Sequence, residues 1–156
     1  MNQQRIWLKR CGQAEKTVND FWILKMYLID TDILIYSLKN DETVKERFKA
    51  HASNPKAISV ISYGEMYFGA YKSNFPEKNL AVVRRISEIF PVIDVSRSIM
   101  ETFGELKAKL QKKGNTLSDM DLIIASTALS MNFTLVTNNV RHFKRIPGLT
   151  YENWKN

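Results

Sequence analysis

The stretch "MYLIDTDILIYSL" (residues 26–38) places two carboxylates, Asp30 and Asp32, inside an apolar run. Residues 27–29 and 33–36 are rich in Ile and Leu, and they predict one buried strand that runs into the next element. A lone ionised carboxylate in such surroundings is unfavourable unless it is paired, hydrogen-bonded or bound to a metal ion. The stretch therefore predicts a buried strand with a polar site at its end.

Segments typical of strands and helices alternate along the rest of the chain. The sequences "AISVIS", "PVIDV" and "TLVT" predict three more strands, and "IPGLTYENW" predicts a last edge strand after Pro147. Helices are predicted over residues 41–51, over "SYGEMYFGAYKS", after Pro76, from Ser96 or Ser98 to Gly114, and over "LSDMDLIIASTALSM". This alternation is typical of a mostly parallel sheet that helices cover on both faces, so we expect an α/β fold.

The chain has 156 residues, which is enough for one domain with a substantial core. We assign residues 26–156 to this domain because Met26 directly precedes the first predicted strand. Residues 1–25 show no clear periodicity or helix caps, and we interpret them as an N-terminal extension that is non-native or comes from an upstream start. The alternative is a short helix that packs on the domain.

The composition excludes several classes of protein. Charges break the apolar runs well before the length of a membrane span, and Lys25 interrupts the N-terminal run that a signal peptide would need. We therefore expect a cytoplasmic protein that does not bind a membrane. Cys11 is the only cysteine, which excludes an intramolecular disulfide and a cysteine-based zinc site.

Acidic and polar residues recur where predicted strands end and predicted helices begin. In a parallel sheet the ligand site lies beyond the carboxyl ends of the strands. The residues expected at that edge are Asp30, Asp32, Glu65, Asp119, Asp121, Thr137, Asn138 and Asn139. Although these residues are far apart in sequence, we expect them to converge on one site.

Clustered carboxylates repel one another unless a hard divalent cation neutralises them, and their oxygens favour Mg²⁺ or Mn²⁺. Such ions can activate a water molecule and stabilise the leaving oxygen in phosphodiester cleavage. The formal net charge of +7 favours a polyanionic partner. The basic residues expected to bind RNA are Lys107, Lys109, Lys112, Lys113, Arg141, Lys144 and Arg145. This combination indicates a metal-dependent nuclease, although each basic cluster could also be a solvated helix face.

Purely structural explanations stay open for the individual residues. Asp30 could cap the turn that follows it, and Glu65 could be an exposed helix residue. Asp119 and Asp121 could have no role beyond capping the long late helix, because a helix N-terminus favours negative charge. His142 could be a surface or packing residue.

Four segments together resemble the successive blocks of a PIN-domain ribonuclease of the VapC toxin type. They are "MYLIDTDILIY", "ISVISYGEMYFGA", "GNTLSDMDLIIASTAL" and "TLVTNNVRHFKRIPGLTYENW", and they follow the family's order from Met26 to the C-terminus. The resemblance implies a PIN-like fold and a Mg²⁺-dependent endoribonuclease that acts as the toxin of a type II toxin–antitoxin system. It also implies that Asp30, Glu65 and Asp121 are the catalytic carboxylates and the metal ligands.

The chain departs from this family at the fourth acidic position. "VRHF" places His142 where relatives usually carry Asp or Glu, and other PIN domains place the acid where this chain has Asn139. A negative charge is therefore missing, which leaves open whether the site binds one metal ion or two. The residues expected to support the ligands from around the metal are Asp32, Asp119, Thr137, Asn139 and His142.

The resemblance also implies partners and a substrate. Toxins of this type are neutralised by a cognate VapB-type antitoxin, whose own DNA-binding part contacts the operator, and we expect the toxin to form a homodimer. The C-terminal block is similar to that of VapC toxins that cut initiator tRNA. The expected substrate is therefore RNA, with the anticodon loop of initiator tRNA as the specific candidate.

Two other functions stay open as alternatives. Asp30-Thr31-Asp32 copies the D-x-D motif of haloacid-dehalogenase-like phosphatases, in which Asp30 would be the nucleophile. The missing fourth acid would also suit a non-catalytic RNA-binding module whose metal site has decayed. Metal-dependent RNA cleavage by the purified protein would separate the three.

Overall fold

The structure of the protein is a computed structural model that describes residues 25–156. The predicted N-terminal extension, residues 1–25, therefore lies outside the described residues except for Lys25. The Lys25 ammonium forms an ion pair with the carboxylate of Glu152 near the C-terminus. Across residues 25–156, the helices are too short or too polar for any of them to cross a membrane.

Five short strands form one parallel sheet. They are β1 (Tyr27–Ile29), β2 (Lys56–Ser59), β3 (Val92–Ile93), β4 (Thr134–Val136) and β5 (Tyr151–Glu152). Their order across the sheet is β3-β2-β1-β4-β5, and every neighbouring pair is parallel. The parallel sheet and its last edge strand confirm the sequence prediction.

Seven helices accompany the sheet within residues 25–156. They are α1 (Thr31–Leu38), α2 (Glu42–Ala50), α3 (Val60–Lys72), α4 (Pro76–Ile89), α5 (Arg97–Lys112), α6 (Asp119–Met131) and α7 (Val140–Phe143). Helices α2 to α6 confirm the five predicted helices, and α5 is capped by Ser96 rather than Ser98. The pattern did not predict α1 or the single turn α7.

The expectation that the apolar run at 33–36 continues the first strand is wrong. β1 ends one residue before Asp30, whose backbone is extended and whose side chain accepts the N–H of Thr31, which caps α1. In the same way β2 ends at Ser59, whose side chain accepts the N–H of Ser62 and caps α3. Each of these strands therefore passes directly into a helix through a polar cap residue.

Side chains of the central strand β1 alternate between two cores, one on each face of the sheet. Leu28 packs in a core with Leu106 of α5 and Leu122 of α6. Tyr27 and Ile29 pack in the other core, which α1 to α4 cover. Helices thus cover both faces of the sheet, as the sequence predicts for a PIN-like fold.

The pairing of β1 with β4 brings two polar strand ends together. Ile29 lies opposite Val136 in the parallel register, and the N–H of Asp30 donates to the carbonyl oxygen of Val136 at 2.9 Å. Thr137, the residue after β4, therefore lies beside Asp30, the residue after β1. The sheet register alone accounts for this contact between residues that are 107 positions apart.

We predict that a chain starting at Met26 has a free energy of unfolding within about 1 kcal/mol of the full chain. The two described cores use residues from Met26 onward. The ion pair between Lys25 and Glu152 is lost, but partly exposed ion pairs contribute only about 0–1 kcal/mol. Urea unfolding of both chains, followed by circular dichroism, measures the difference. An insoluble or much less stable short chain would show that residues 1–24 fill part of the core.

Candidate active site

Asp30 is the buried centre of the site. Its side chain accepts the backbone N–H of Thr31 at Oδ1 and the hydroxyl of Thr137 at Oδ2, both at 2.8 Å. Only 7% of the residue is exposed. Burial and the nearby charge of Asp32 raise the pKa of Asp30 to about 7, although both hydrogen bonds lower it. The folded chain alone therefore stabilises the Asp30 carboxylate incompletely.

Asp32, in the first turn of α1, adds a second carboxylate to the same pocket. Its Oδ2 accepts the backbone N–H of Asn138 at 3.0 Å, so it also joins α1 to the end of β4. Its Oδ1 is buried and has no hydrogen-bond partner among the described residues. Burial raises the pKa of Asp32 above its ordinary value. A buried carboxylate oxygen without a donor is the kind of atom that a cation would stabilise.

Glu65 approaches the same pocket from α3. The hydroxyl of Thr31 donates to Glu65 Oε2, which joins the first residue of α1 to the second turn of α3. The charge of Glu65 contributes to the raised pKa of both Asp30 and Asp32, so the three carboxylates lie within electrostatic reach of one another. Sequence reasoning missed Thr31, and its position between the two aspartates was the available signal.

Asp121, in the first turn of α6, reaches the pocket through a chain of polar contacts. Ser118 caps this helix by accepting the N–H of Asp121. Oδ2 of Asp121 lies 3.0 Å from Nδ1 of His142, and that nitrogen lies 2.9 Å from Nδ2 of Asn139. The N–H of Asn139 in turn donates to the Thr137 hydroxyl oxygen at 3.0 Å. The same hydroxyl donates to Asp30, so one continuous chain of contacts runs from Asp121 to Asp30.

Asp119 does not join this chain of contacts. Its carboxylate forms an ion pair with Lys107 at 2.8 Å, on the outer side of α5 and α6. Lys107 also lies over the ring of Phe103, and Lys109 forms an ion pair with Glu105. The other basic residues predicted to bind RNA are exposed, namely Lys112, Lys113, Arg141, Lys144 and Arg145.

The donor chemistry of the pocket fits a hard divalent cation. Carboxylate oxygens gather there, the charges of Asp30, Asp32 and Glu65 repel one another, and one buried oxygen of Asp32 is without a donor. In residues 25–156, however, no three His, Cys, Asp or Glu side chains are arranged so that they could hold a metal ion together. Glu65 is hydrogen-bonded to Thr31, and Asp121 contacts His142. These two side chains would therefore have to turn for three carboxylates to share one ion.

Comparison with known proteins gives the same fold and the same class of enzyme. The family model for the PIN domain matches residues 27–149. Ribonuclease VapC2 of Haemophilus influenzae is 36% identical over 82% of this chain and 97% of the relative. The tRNA(fMet)-specific endonuclease VapC of Salmonella typhimurium is 38% identical over the same shares.

Chains in solved structures of VapBC complexes also resemble this chain. VapBC2 from Rickettsia felis, bound to a DNA fragment from its promoter, matches with a TM-score of 0.78 and 37% identity. That match covers 83% of this chain and 98% of the solved chain. DNA-bound VapBC from Salmonella typhimurium matches with a TM-score of 0.77 and 38% identity, over 85% and 99% of the two chains. These relatives do not favour the phosphatase alternative.

We predict that Asp30→Asn raises the free energy of unfolding of the metal-free protein by about 1–3 kcal/mol at about pH 8. Because the folded-state pKa of Asp30 is about 7 and its ordinary value is 3.8, folding disfavours the carboxylate. In the wild-type protein, the loss of stability caused by the ionised Asp30 side chain is absent below its ordinary pKa. It grows as the pH rises towards 7 and is complete above it. Urea unfolding in EDTA across this pH range measures the effect.

Asp94→Asn is the matched control, because Asp94 is an exposed carboxylate just after β3. This substitution should leave the pH dependence of stability unchanged. An Asp30→Asn protein that is less stable than wild type at about pH 8 would show that the hydrogen bonds of Asp30 outweigh its burial.

Proposed function

We propose that this chain, which belongs to the PIN-domain family of VapC ribonucleases, is the toxin of a toxin–antitoxin pair and cuts tRNA. The observation that carries the proposal is the group of Asp30, Asp32 and Glu65 at the carboxyl edge of the sheet, together with the chain of polar contacts that links Asp121 to Asp30. Asp30 caps α1, Glu65 lies in the second turn of α3 and Asp121 lies in the first turn of α6. Contacts of Thr31, Thr137, Asn139 and His142 connect them. A purely structural role would not require charged groups to gather where they repel one another.

PIN-domain nucleases generally need a divalent metal ion. We assign Mg²⁺ to this site, with Mn²⁺ as the alternative, and Asp30, Glu65 and Asp121 as the residues that would hold it. When bound, the ion supplies positive charge that activates a water molecule and stabilises the phosphoryl oxygens. The supporting residues are Asp32, Thr137, Asn139 and His142. Asp119 acts one step further out, because its ion pair holds Lys107 at the rim.

Hydrogen bonds within the protein orient the carboxylates of Asp30 and Glu65. Thr137 holds Asp30 through one oxygen, and the N–H of Thr31 holds the other, so the carboxylate has a fixed direction. The Thr31 hydroxyl donates to Glu65 of α3. The fixed carboxylate of Asp30 lowers the reorganisation needed when charge develops on the reacting phosphate, whereas Glu65 would turn away from Thr31 to reach the ion.

The substrate that we propose is a single-stranded loop of a structured RNA, with the anticodon loop of initiator tRNA as the specific candidate. A scissile phosphate must reach the partly buried carboxylates in an exposed conformation, which a loop offers and an A-form helix does not. Exposed basic residues at the end of α5, in α7 and directly after α7 would hold the flanking phosphates. The tRNA(fMet)-specific relative supports this choice. Cleavage of this tRNA in the cytoplasm would stop translation.

The partner that we propose is a VapB-type antitoxin, which binds operator DNA while the toxin itself does not. The related structures are VapBC complexes bound to DNA, in one of them a promoter fragment, and they support the antitoxin as partner. We also propose that the toxin forms a homodimer. Ile35, Leu38 and Phe68 are large apolar side chains that are 41%, 51% and 69% exposed on α1 and α3. The hydrogen bond between Thr31 and Glu65 joins these two helices at the site. Exposed apolar surface beside an acidic pocket favours a protein partner that also carries a basic side chain.

We predict that Asp30→Ala and Asp121→Ala each lower RNA cleavage at least about 100-fold and remove toxicity in cells. Each change removes a proposed metal ligand and its stabilisation of the transition state. Glu65→Ala should cost nearly as much. Cleavage of a labelled tRNA by purified protein, with and without Mg²⁺, measures the loss.

The control for these variants is Asp94→Ala, which removes an exposed carboxylate at the end of an edge strand. It should cleave like wild type. Circular dichroism checks that each variant is folded. Cleavage by Asp30→Ala at the wild-type rate in Mg²⁺ would refute the proposed site.

We predict that mapping of RNA 5′ ends after induction of the protein locates cuts in the anticodon loop of initiator tRNA. The expected affinity for this RNA falls steeply as salt is raised, because it depends on phosphate contacts. The Asp30→Ala protein, induced to the same level, is the control. Cuts scattered through mRNA with initiator tRNA intact would refute the substrate and leave the metal-dependent nuclease standing.

A further inference from the structure

Phe68 is an exposed aromatic residue one turn along α3 from Glu65. It is 69% exposed, and the Lys72 ammonium lies over its ring, 5.8 Å from the ring centroid. Residues three and four positions apart share one face of a helix, so Glu65, Phe68 and Lys72 line the same face of α3. This line runs from a carboxylate of the proposed active site to an aromatic ring and then to a positive charge.

The helix surface beside this line carries two glycines. Gly64 precedes Phe68 by four positions and Gly69 follows Glu65 by four, so each glycine lies one turn from one of these side chains. A Cβ atom built on either glycine meets no atom within 4 Å beyond its own stretch of helix. Glycine inside a helix is less favourable than alanine, and packing against the described residues requires it at neither position. The space beside the Phe68 ring and beside Glu65 is therefore open to a ligand.

An exposed aromatic face next to a positive charge fits one nucleotide of a single-stranded RNA. Every base has a flat face that can stack on an aromatic ring, and a lysine binds phosphate as a point charge. Side chains on a helix lean towards its N-terminus, so the Phe68 ring leans towards Gly64 and Glu65. A base on this ring would therefore lie beside the proposed catalytic carboxylates. An apolar protein segment on the ring would instead bury the Lys72 charge without a partner, which is unfavourable.

We propose that Phe68 stacks on a base next to the scissile phosphate and that Lys72 binds a phosphate of the same strand. This inference rests on the proposed nuclease and names residues that bind its substrate. Since the Lys72 ammonium lies over one face of the Phe68 ring, the base stacks on the other face. Stacking tolerates any base, so Phe68 adds affinity for an exposed loop and does not by itself select initiator tRNA.

Steady-state cleavage of a labelled anticodon stem-loop of initiator tRNA, by the purified full chain in Mg²⁺, tests the role of the ring. Phe68→Leu should raise KM at least about fivefold with a smaller effect on kcat, because leucine is apolar but has no flat face for stacking. Phe68→Trp should restore the wild-type KM. Phe75→Leu is the matched control and should leave KM unchanged, because Phe75 is 70% exposed but lies beyond the far end of α3.

Two further variants test the open space and the charge separately. Gly64→Leu should raise KM without lowering the thermal midpoint, because its Cβ meets nothing within 4 Å and its longer side chain would cover the Phe68 ring. Gly104→Leu is the control and should leave both unchanged or raise the midpoint alone, since Gly104 lies in α5 and also has open space around it. Lys72→Gln should reduce the slope of log(1/KM) against log salt by about 0.7, the value for one contact with a single strand.

An unchanged KM in Phe68→Leu would overturn the inference. Weaker binding of a co-expressed antitoxin, or a changed oligomeric state, in that variant would then assign the ring to a protein partner. A raised KM that Phe68→Trp does not restore would also overturn it, because the ring would then act through packing. Wild type that cleaves RNA while Phe68→Leu keeps the same KM refutes this inference alone, whereas wild type that cleaves no RNA refutes the proposed nuclease as well.

Discussion

The buried carboxylate of Asp30 connects the strand pairing to the chemistry of the site. One of its oxygens is held by the N–H of Thr31 and the other by the hydroxyl of Thr137. Both bonds form only if β1 ends before Asp30, α1 begins directly after it, and β4 pairs with β1 in the observed parallel register. A one-residue slip of β4 would move Thr137 away and turn its neighbours to the other face of the sheet. The fold and the site therefore depend on the same few contacts.

The burial and mutual repulsion of the carboxylates around Asp30 oppose folding of the metal-free protein. Hydrogen bonds to a charged group contribute roughly 1.5–3 kcal/mol each, and Asp30 has two of them. Its pKa is nevertheless raised, so burial and the charges of Asp32 and Glu65 outweigh both bonds. The partnerless oxygen of Asp32 adds to the same imbalance. A bound cation would reverse this imbalance, because it would stabilise the charged carboxylates. A chain can therefore retain carboxylates that weaken its metal-free fold.

The sequence predicted the strands, five of the helices and the edge of the sheet where polar residues meet, since hydrophobic periodicity and parallel topology determine these. It did not predict α1, because a short apolar run after a strand has no periodicity that separates strand from helix, and only the cap at Asp30 decides. The spacing of the residues alone did not separate Asp119 from Asp121, and only the family resemblance named Asp121 as the ligand. Residues two apart on a helix point about 200° from each other, so only one can face the site. Lys107 pairs with Asp119, and that contact exists only in three dimensions.

If the chain binds a metal ion and RNA as proposed, the position of its charges would make the two kinds of binding depend on each other. The net charge of +7 attracts a phosphate backbone to the chain as a whole, but the pocket that would hold the scissile phosphate is acidic. The basic residues proposed to bind RNA lie outside this group of carboxylates, and two of them, Lys107 and Lys109, are already paired with Asp119 and Glu105. A phosphate entering the metal-free pocket would add negative charge where burial already disfavours it. On the proposed function, the basic residues would therefore attract RNA without a metal ion, whereas the scissile phosphate would bind at the carboxylates only once the cation is bound.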